Sequence, residues 1–224
     1  MIREALEAVR AEIDAAALAA GRAPAEIELC AVSKTKPASS LREAYAACQR
    51  VFGENYAQEL ADKRAELADL PGLVLRMIGH VQTNKARVVA RIADAVDTVD
   101  RPELARELGR RAAAAGRVLS VMIEVNVGGE AQKHGVSPDR LGEVLDAVAR
   151  EPSLALEGLM TVPPHTEDPA GARPYFARLR ALRDAHGGAR ALPRLSMGMS
   201  HDFREAILEG STMVRVGSAI FGAR

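Results

Sequence analysis

The sequence alternates between short apolar segments and longer segments with helical periodicity, and this alternation limits the folds open to the chain. Several short segments are continuous apolar runs, which is typical of strands buried on both faces of a parallel sheet. The predicted strands cover residues 26–34, 50–55, 73–81, 94–100, 118–127, 154–162, 194–200 and 213–222. Eight strands alternating with helices predict an α/β fold, a single (β/α)8 barrel of the TIM type, with an open doubly wound sheet as the alternative.

The helical segments have recognisable ends, and no segment has the composition of a linker. An amphipathic N-terminal helix is expected to end at Gly21. Pro102 begins another helix that Gly116 ends, and Ser137 is expected to cap a third. Because the chain contains no Gly/Ser-rich tract, low-complexity tract or repeat, one domain is expected over residues 1–224.

Composition excludes several classes of function. The chain has 30 basic and 30 acidic residues, so its net charge of zero gives no general attraction to nucleic acid or to anionic membranes. No apolar run approaches the roughly 20 residues of a membrane span, and the charged N-terminus is unlike a signal peptide, so a cytoplasmic protein is expected. Cys30 and Cys48 lack metal-ligand or disulfide spacing and are expected to be reduced and structural. No metal site is predicted.

Two lysines follow the first predicted strand, at the end where a (β/α)8 barrel collects its ligand chemistry. Lys34 is the last residue of that predicted strand, and Lys36 lies beyond it, before Pro37. A lysine ending a buried strand can direct its amine into the barrel mouth, where desolvation favours the neutral amine that attacks aldehydes. The alternative is that both lysines are solvated charges beside the strand end.

Polar residues also end the second and third predicted strands. Asn55 either directs its amide into the barrel mouth or caps the following helix. His80 has no acidic or hydroxyl partner near it in sequence, so a structural role is expected. The segment VNVGGE (125–130) lacks the GK[ST] that completes a Walker loop, so it is weak evidence for a phosphate site.

The last two predicted strands end in residues suited to an anion. Ser200 ends the seventh strand, and Gly217 and Ser218 lie at the end of the eighth. Hydroxyls at two adjacent strand ends, with a glycine that lets a ligand approach the backbone, predict a phosphate cradle.

Arg215 alternates with valines in the otherwise apolar last strand. An arginine buried there needs an acceptor for its donors, which is either a bound ligand or a core carboxylate such as Glu54 or Glu124. An amine, a phosphate cradle and a buried donor together match pyridoxal phosphate, which offers an aldehyde, a phosphate and a ring nitrogen.

The chain resembles the family of pyridoxal phosphate homeostasis proteins, which are similar to the barrel domain of alanine racemase. The resemblance is carried, in this order, by AVSKTKP, FGENYAQE, IGHVQTNK, VNVGGEAQKHG, GLMTVPP, LSMGMSHDF and GSTMVRVGSAIFG. It implies that Lys34 forms a Schiff base with pyridoxal 5'-phosphate and that Arg215 faces the pyridine nitrogen. The remaining cofactor contacts that it implies are Asn55, Met160, Met199, Ser200, Gly217 and Ser218.

Departures from the family pattern occur at two places. Ser218 stands where threonine is expected, and Arg76 with Met77 stands where a His–aromatic pair is common. The racemases that the chain resembles take a second base, a tyrosine, from a C-terminal β-domain, for which 224 residues are expected to leave no room. The tyrosines of this chain all fall in predicted helices or helix starts: Tyr45, Tyr56 and Tyr175.

The expected function is therefore binding rather than catalysis. An arginine beside the ring nitrogen disfavours its protonation and weakens the ring as an electron sink. We expect a monomer that holds pyridoxal phosphate and delivers it to apo-enzymes, without nucleic-acid or membrane partners. The alternatives are an amino-acid racemase with Lys34 as its single base and a Schiff-base aldolase acting on a phosphorylated sugar. Lys36 is either an electropositive neighbour of Lys34 or a second amine that receives the cofactor.

Overall fold

The structure of the protein, a computed structural model, describes residues 1–222. Within these residues eight strands form: β1 (Glu28–Val32), β2 (Val51–Glu54), β3 (Val74–Met77), β4 (Ala95–Val99), β5 (Leu119–Glu124), β6 (Leu154–Met160), β7 (Arg194–Met199) and β8 (Met213–Val216). Each strand pairs in parallel with the next, and β8 pairs with β1, so the sheet is a closed barrel. The predicted (β/α)8 barrel is confirmed, and the open sheet is excluded.

Helices connect the strands and cover the outside of the barrel. Within residues 1–222 the α-helices are α1 (Ile2–Ala19), α2 (Ala38–Ala46), α3 (Ala57–Glu66), α4 (Ala86–Ile92), α5 (Pro102–Ala114), α6 (Leu141–Ala149), α7 (Arg173–Ala185), α8 (Gly188–Ala191), α9 (Phe203–Leu208) and α10 (Ser218–Phe221). Short 3-10 helices occupy Pro24–Glu26, Thr83–Lys85, Pro138–Arg140 and Pro169–Ala172. None of the helices in this part of the chain combines the length and apolar character that crossing a bilayer requires.

Strands form where the sequence predicts them, but all eight are shorter than predicted. The eighth predicted strand, 213–222, ends at Val216, and α10 replaces its second half. The polar and glycine-containing ends of the predicted runs leave the sheet and become the loops at the barrel mouth.

Two of the predicted helix ends are confirmed, and one predicted helix cap is not. Gly21 and Gly116 adopt left-handed φ angles of 67° and 64° just after α1 and α5, where only glycine is free of strain. Ser137 differs from expectation, because it precedes a 3-10 helix, Pro138–Arg140, and makes no side-chain cap.

A buried ion pair lies inside the barrel at one of the departures from the family pattern. Arg76 donates from Nε and Nη2 to both carboxylate oxygens of Asp97, at 2.7 to 3.2 Å, and from Nη2 to Glu157 at 2.8 Å. Asp97 is fully buried, and Arg76 is 4% exposed. Burial alone would lower the pKa of Arg76, but the carboxylates of Asp97 and Glu157 hold it above the usual range, so Arg76 stays cationic.

The two cysteines are free thiols in different surroundings. Cys30 is buried, and its desolvation raises the pKa of its thiol to about 12, which suits an inert core residue. Cys48 is exposed beyond the end of α2, so its expected structural role has no support from burial.

Candidate functional site

A cavity of about 500 Å³ opens at the carboxyl ends of the strands. Seven of the residues predicted to contact a cofactor line it: Lys34, Asn55, Met199, Ser200, Arg215, Gly217 and Ser218. They come from β1, β2, β7 and β8 or from the segments directly after them. Because β8 pairs with β1, closure of the barrel brings the two ends of the chain to one cavity.

The lysines lie in a loop and not on a strand. β1 ends at Val32, so the expectation that Lys34 ends the strand is wrong. Thr35, between the lysines, has a left-handed φ of 64°, and the N–H of Lys36 donates to the carbonyl of Ser33 at 3.1 Å, so a tight turn replaces the extended backbone. Lys34 and Lys36 are both half-buried and both line the cavity.

A buried polar cluster beneath this turn holds it in place. Ser33 Oγ donates to Glu54 Oε1 at 2.5 Å, and Lys63 Nζ donates both to that oxygen and to the Ser33 carbonyl, each at 2.7 Å. Glu59 accepts the backbone N–H of Thr35 at 2.8 Å. Glu54 therefore pairs with Lys63 and positions the lysine loop.

Sequence reasoning missed this supporting role of Lys63. The available signal is the spacing of Glu59 and Lys63, which lie on one face of α3 and form an i,i+4 ion pair at 3.3 Å. That spacing is common on exposed helices, so by itself it does not point to a buried site.

Asn55 follows β2 directly and lines the cavity. The expectation that Asn55 caps the next helix is wrong, because the N-cap of α3 is Tyr56, which makes no side-chain cap. Gly79 packs on the backbone of Asn55 so closely that a Cβ atom there would lie 2.1 Å from the Asn55 carbonyl oxygen. Glycine at 79 is therefore required for this part of the cavity wall.

The residues of the predicted phosphate cradle come from two adjacent strand ends. Ser200 follows β7, and its Oγ accepts the N–H of Gly217 at 3.3 Å. A Cβ atom at Gly217 would lie 3.1 Å from the Val32 carbonyl oxygen and 3.2 Å from its Cβ, so a side chain would be crowded there. Ser218 is exposed at the start of α10. Two hydroxyls and a bare backbone segment thus face the same space.

Arg215 is buried, yet it lines the cavity. Its Nη1 donates to Ser196 Oγ at 2.7 Å and its Nη2 donates to the Thr161 carbonyl at 2.8 Å. No ion pair to Glu54 or Glu124 forms among residues 1–222, so the alternative of a core carboxylate partner is not realised. Neutral acceptors leave the charge uncompensated by direct contact, and desolvation lowers the pKa of Arg215.

The two predicted methionines separate. Met199, the last residue of β7, is half-buried and lines the cavity. Met160, the last residue of β6, is 1% exposed and packs with Cys30, Met122 and Met213 in the barrel interior. Among residues 1–222 it is not one of those that line the cavity. Several cavity residues were not predicted, namely Val32, Ile78, Val162, His201, Phe221 and Gly222. Their apolar side chains or loop positions carry no distinctive signal.

His80 has an acidic neighbour in space, although none lies near it in sequence. Its Nδ1 lies 3.4 Å from Oδ2 of Asp100, which follows the next strand, and its ring stacks on that of His134 at 3.9 Å between centroids. Desolvation and the neighbouring His134 hold the pKa of His80 below its usual range. Parallel pairing of β3 with β4 brings these residues together over a separation in sequence that local patterns do not reveal.

Glu124, at the end of β5, is a buried acid of the barrel interior. Burial, and then the negative charge of Asp100, raise the pKa of Glu124 from 4.5 to about 7, while the positive charge of Arg215 opposes the shift. The folded protein holds this proton more tightly than the unfolded chain does. The stability that Glu124 contributes is therefore fully present below about pH 4.5 and is lost as the pH rises through 7.

Glu124→Gln is expected to remove this pH dependence. In the wild type, the free energy of unfolding is expected to fall by on the order of 3 kcal/mol between pH 5 and pH 8, since one pKa unit corresponds to about 1.4 kcal/mol. The amide carries no charge, so the variant should gain stability relative to wild type as the pH rises. Urea denaturation at several pH values measures this. The exposed Glu7→Gln is the control, and a wild-type pH profile in Glu124→Gln would contradict the prediction.

Comparisons with known proteins agree with this fold over almost the whole chain. Residues 5–224 match the family described as alanine racemase, N-terminal domain. The pyridoxal phosphate homeostasis protein of Pseudomonas aeruginosa is 49% identical over 224 residues, covering 100% of this chain and 96% of that protein. The protein of the same name from Escherichia coli is 44% identical over 226 residues, covering 98% of this chain and 95% of its own.

A solved structure is similar along its full length. PipY of Synechococcus elongatus, with pyridoxal phosphate bound, superposes with a TM-score of 0.86 at 35% identity, covering 99% of this chain and 100% of that chain. The resemblance read from the sequence motifs is confirmed. The chain belongs to the family of pyridoxal phosphate homeostasis proteins, which share the alanine racemase N-terminal domain.

Proposed function

We propose that this protein binds pyridoxal 5'-phosphate in the cavity at the barrel mouth and serves pyridoxal phosphate homeostasis, by holding the cofactor and delivering it to apo-enzymes. The observation that carries the proposal is that an amine, two hydroxyls and a buried guanidinium line one cavity: Lys34, Ser200, Ser218 and Arg215. The names of the relatives and the bound structure of PipY support it. In this proposal the protein acts as a cytoplasmic monomer with one domain over residues 1–224.

The chemistry of the cavity fits this cofactor. Its volume of about 500 Å³ lies in the range of small-molecule sites, about 300 to 1,000 Å³. A side chain at Gly217 would be crowded against Val32, so the backbone there stays open to a phosphate beside Ser200 and Ser218. Arg215 places a positive charge at the buried part of the cavity, where its hydrogen-bond acceptors within residues 1–222 are neutral.

Each lining residue has a distinct task. When bound, pyridoxal phosphate supplies an aldehyde carbon that amines attack and a ring that withdraws electrons. Lys34 would hold the aldehyde through its Nζ, on a turn whose backbone is fixed by Glu59 and Lys63. Ser200, with the backbone at 217 and 218, would hold the phosphate.

The site favours holding the cofactor over turning over amino acids. The permanent charge of Arg215 disfavours a proton on the ring nitrogen and so limits electron withdrawal from a substrate. A two-base racemase also needs a tyrosine at the cavity. All three tyrosines lie within the described residues, and none lines the cavity; Tyr45, for instance, donates its hydroxyl to the Pro71 carbonyl at 2.7 Å.

Borohydride reduction of the cofactor-loaded protein, followed by peptide mass spectrometry, is expected to locate one pyridoxyl group on Lys34. Lys34→Ala should abolish this label at equimolar cofactor, because no other amine occupies the same position on the turn. Lys36→Ala is the matched control, one residue away from the tight turn at Thr35, and should keep the label on Lys34.

Two results would contradict the proposal. A label on Lys36 in the wild type, with none on Lys34, would overturn the assignment of the amine. Sustained conversion of an L-amino acid to its D-form, abolished in Lys34→Ala, would overturn the carrier function and favour the racemase.

A further inference from the structure

A cluster of two imidazoles and a carboxylate lies outside the cofactor cavity, at the same end of the barrel. His80 follows β3, Asp100 follows β4, and His134 lies in the long segment between β5 and α6. One ligand atom from each of the three side chains lies within 4.8 Å of the others. The proposed cofactor function makes no use of these residues, and none of them lines the cofactor cavity.

Contacts with neighbouring residues hold two members of the cluster, Asp100 and His80, in place. Asp100 Oδ1 accepts from Arg101 at 2.5 Å, which leaves Oδ2 directed toward His80. The carbonyl of Gly79, just before His80, accepts from Thr98 Oγ1 at 2.7 Å. Supporting contacts of this kind orient the ligands of metal sites.

One nitrogen of the cluster lacks a hydrogen-bond partner. His80 Nδ1 is fully shielded from solvent and makes no hydrogen bond within the part of the chain that the structure describes, because its approach to Asp100, at 3.4 Å, lacks hydrogen-bond geometry. A buried polar atom without a partner is costly, and a metal ion would satisfy it.

We propose that His80, Asp100 and His134 bind one Zn²⁺ or a similar borderline divalent ion. Two imidazole nitrogens and one carboxylate oxygen are a donor set that Zn²⁺ takes, with a fourth position open to water. Ligand atoms about 2.1 Å from a common ion lie at most about 4.2 Å apart, close to the upper limit of 4.8 Å on the separations in this cluster. The His134 ring now stacks on that of His80, so it must turn about its side-chain bonds to direct a nitrogen at a shared ion, and its exposure leaves room for that turn.

The charges around the cluster accommodate a cation. Arg101 adds one positive charge beside Asp100 and opposes the ion. Asp100 supplies the negative charge of the cluster, and the buried carboxyl group of Glu124 lies near enough to interact with it. The ion would therefore meet the carboxylate of Asp100 and two imidazole rings, with the guanidinium of Arg101 on the far side of Asp100.

The experiment is an isothermal titration calorimetry measurement in which Zn²⁺ alone is added to the full, untagged protein. One ion per chain is expected. His134→Ala and Asp100→Asn should each weaken binding at least tenfold. His165→Ala is the matched control, because His165 also faces a second histidine, His201, at 5.7 Å between ring centroids, but within residues 1–222 this pair forms no such cluster with a carboxylate.

Co²⁺ gives a second readout that does not depend on affinity. Its visible absorption should show four-coordinate nitrogen and oxygen ligation in the wild type, and His134→Ala should lose those bands. His134 is exposed, so this variant is expected to fold, and circular dichroism checks that it does. Equal Zn²⁺ affinity in the wild type and His134→Ala, or no Zn²⁺ binding by the wild type, would overturn the proposal. Loading with pyridoxal phosphate is not needed, so the result is independent of the cofactor function.

Discussion

Asp97→Asn is expected to lower the free energy of unfolding by about 3 to 5 kcal/mol, the usual cost of removing one partner of a buried ion pair. The variant keeps the shape of the side chain but leaves the guanidinium of Arg76 beside a neutral amide inside the barrel. Glu157, 23% exposed, remains as a partner at 2.8 Å, so the loss is not expected to exceed this range. Chemical denaturation of the cofactor-free protein measures it, because a bound ligand would add its own stabilisation.

Two further variants test whether the loss of stability in Asp97→Asn comes from leaving a buried charge without its partner. Glu143→Gln breaks an ion pair with Arg140 in which both side chains are more than half exposed, and should leave the free energy of unfolding almost unchanged. The double variant Arg76→Met with Asp97→Leu removes both charges and should recover most of the stability. If Asp97→Asn costs no more than Glu143→Gln, the buried pair does not stabilise the barrel.

Arg215→Met is expected to make the absorption of bound pyridoxal phosphate depend on pH where the wild type is constant. On the proposed binding mode, the guanidinium faces the ring nitrogen and disfavours its protonation. Removing the charge should raise the pKa of that nitrogen by about 1 to 3, the size of effect that a nearby charge exerts. Spectra of the loaded protein between pH 6 and pH 9 measure the change.

Two controls test whether charge is the cause. Ser196→Ala removes the hydroxyl that accepts from Nη1 but keeps the guanidinium, and should behave as the wild type. Arg215→Lys keeps a positive charge and should retain most of the wild-type response. Loaded Arg215→Met with a wild-type pH profile would contradict the placement of Arg215 beside the ring nitrogen.

The barrel could be predicted because its signals are local. Each strand is a short apolar run, and each helix shows a 3.6-residue period with glycine or proline near its ends. Gly21 and Gly116 behave as the helix ends that the sequence indicates. Strand ends were less accurate, as at β8, because apolar composition alone does not distinguish a last strand residue from the first helical turn after it.

The candidate site could be predicted only in outline. Strand-end positions led to Lys34, Asn55, Ser200 and Arg215, because ligand chemistry in such barrels collects there. The choice of Lys34 over Lys36 rested on its predicted place at the strand end, with which the family resemblance agrees. The structure removes the first ground, since β1 ends at Val32 and both lysines share a turn and a cavity. The carboxylate alternative for Arg215 was wrong, and its acceptors Ser196 and Thr161 were not predicted, because acceptors on other strands leave no mark near it in sequence.

The sequence by itself determined the order of strands and helices, and with it the end of the barrel at which the polar residues gather. Only the tertiary structure decided which of them meet. Pairing of β8 with β1 joins Arg215 and Gly217 to the lysine loop, pairing of β3 with β4 joins His80 to Asp100, and Met160 is withdrawn into the core. The physical reason is that periodicity reports which face of a strand is buried, whereas contacts between distant strands arise only when the barrel closes.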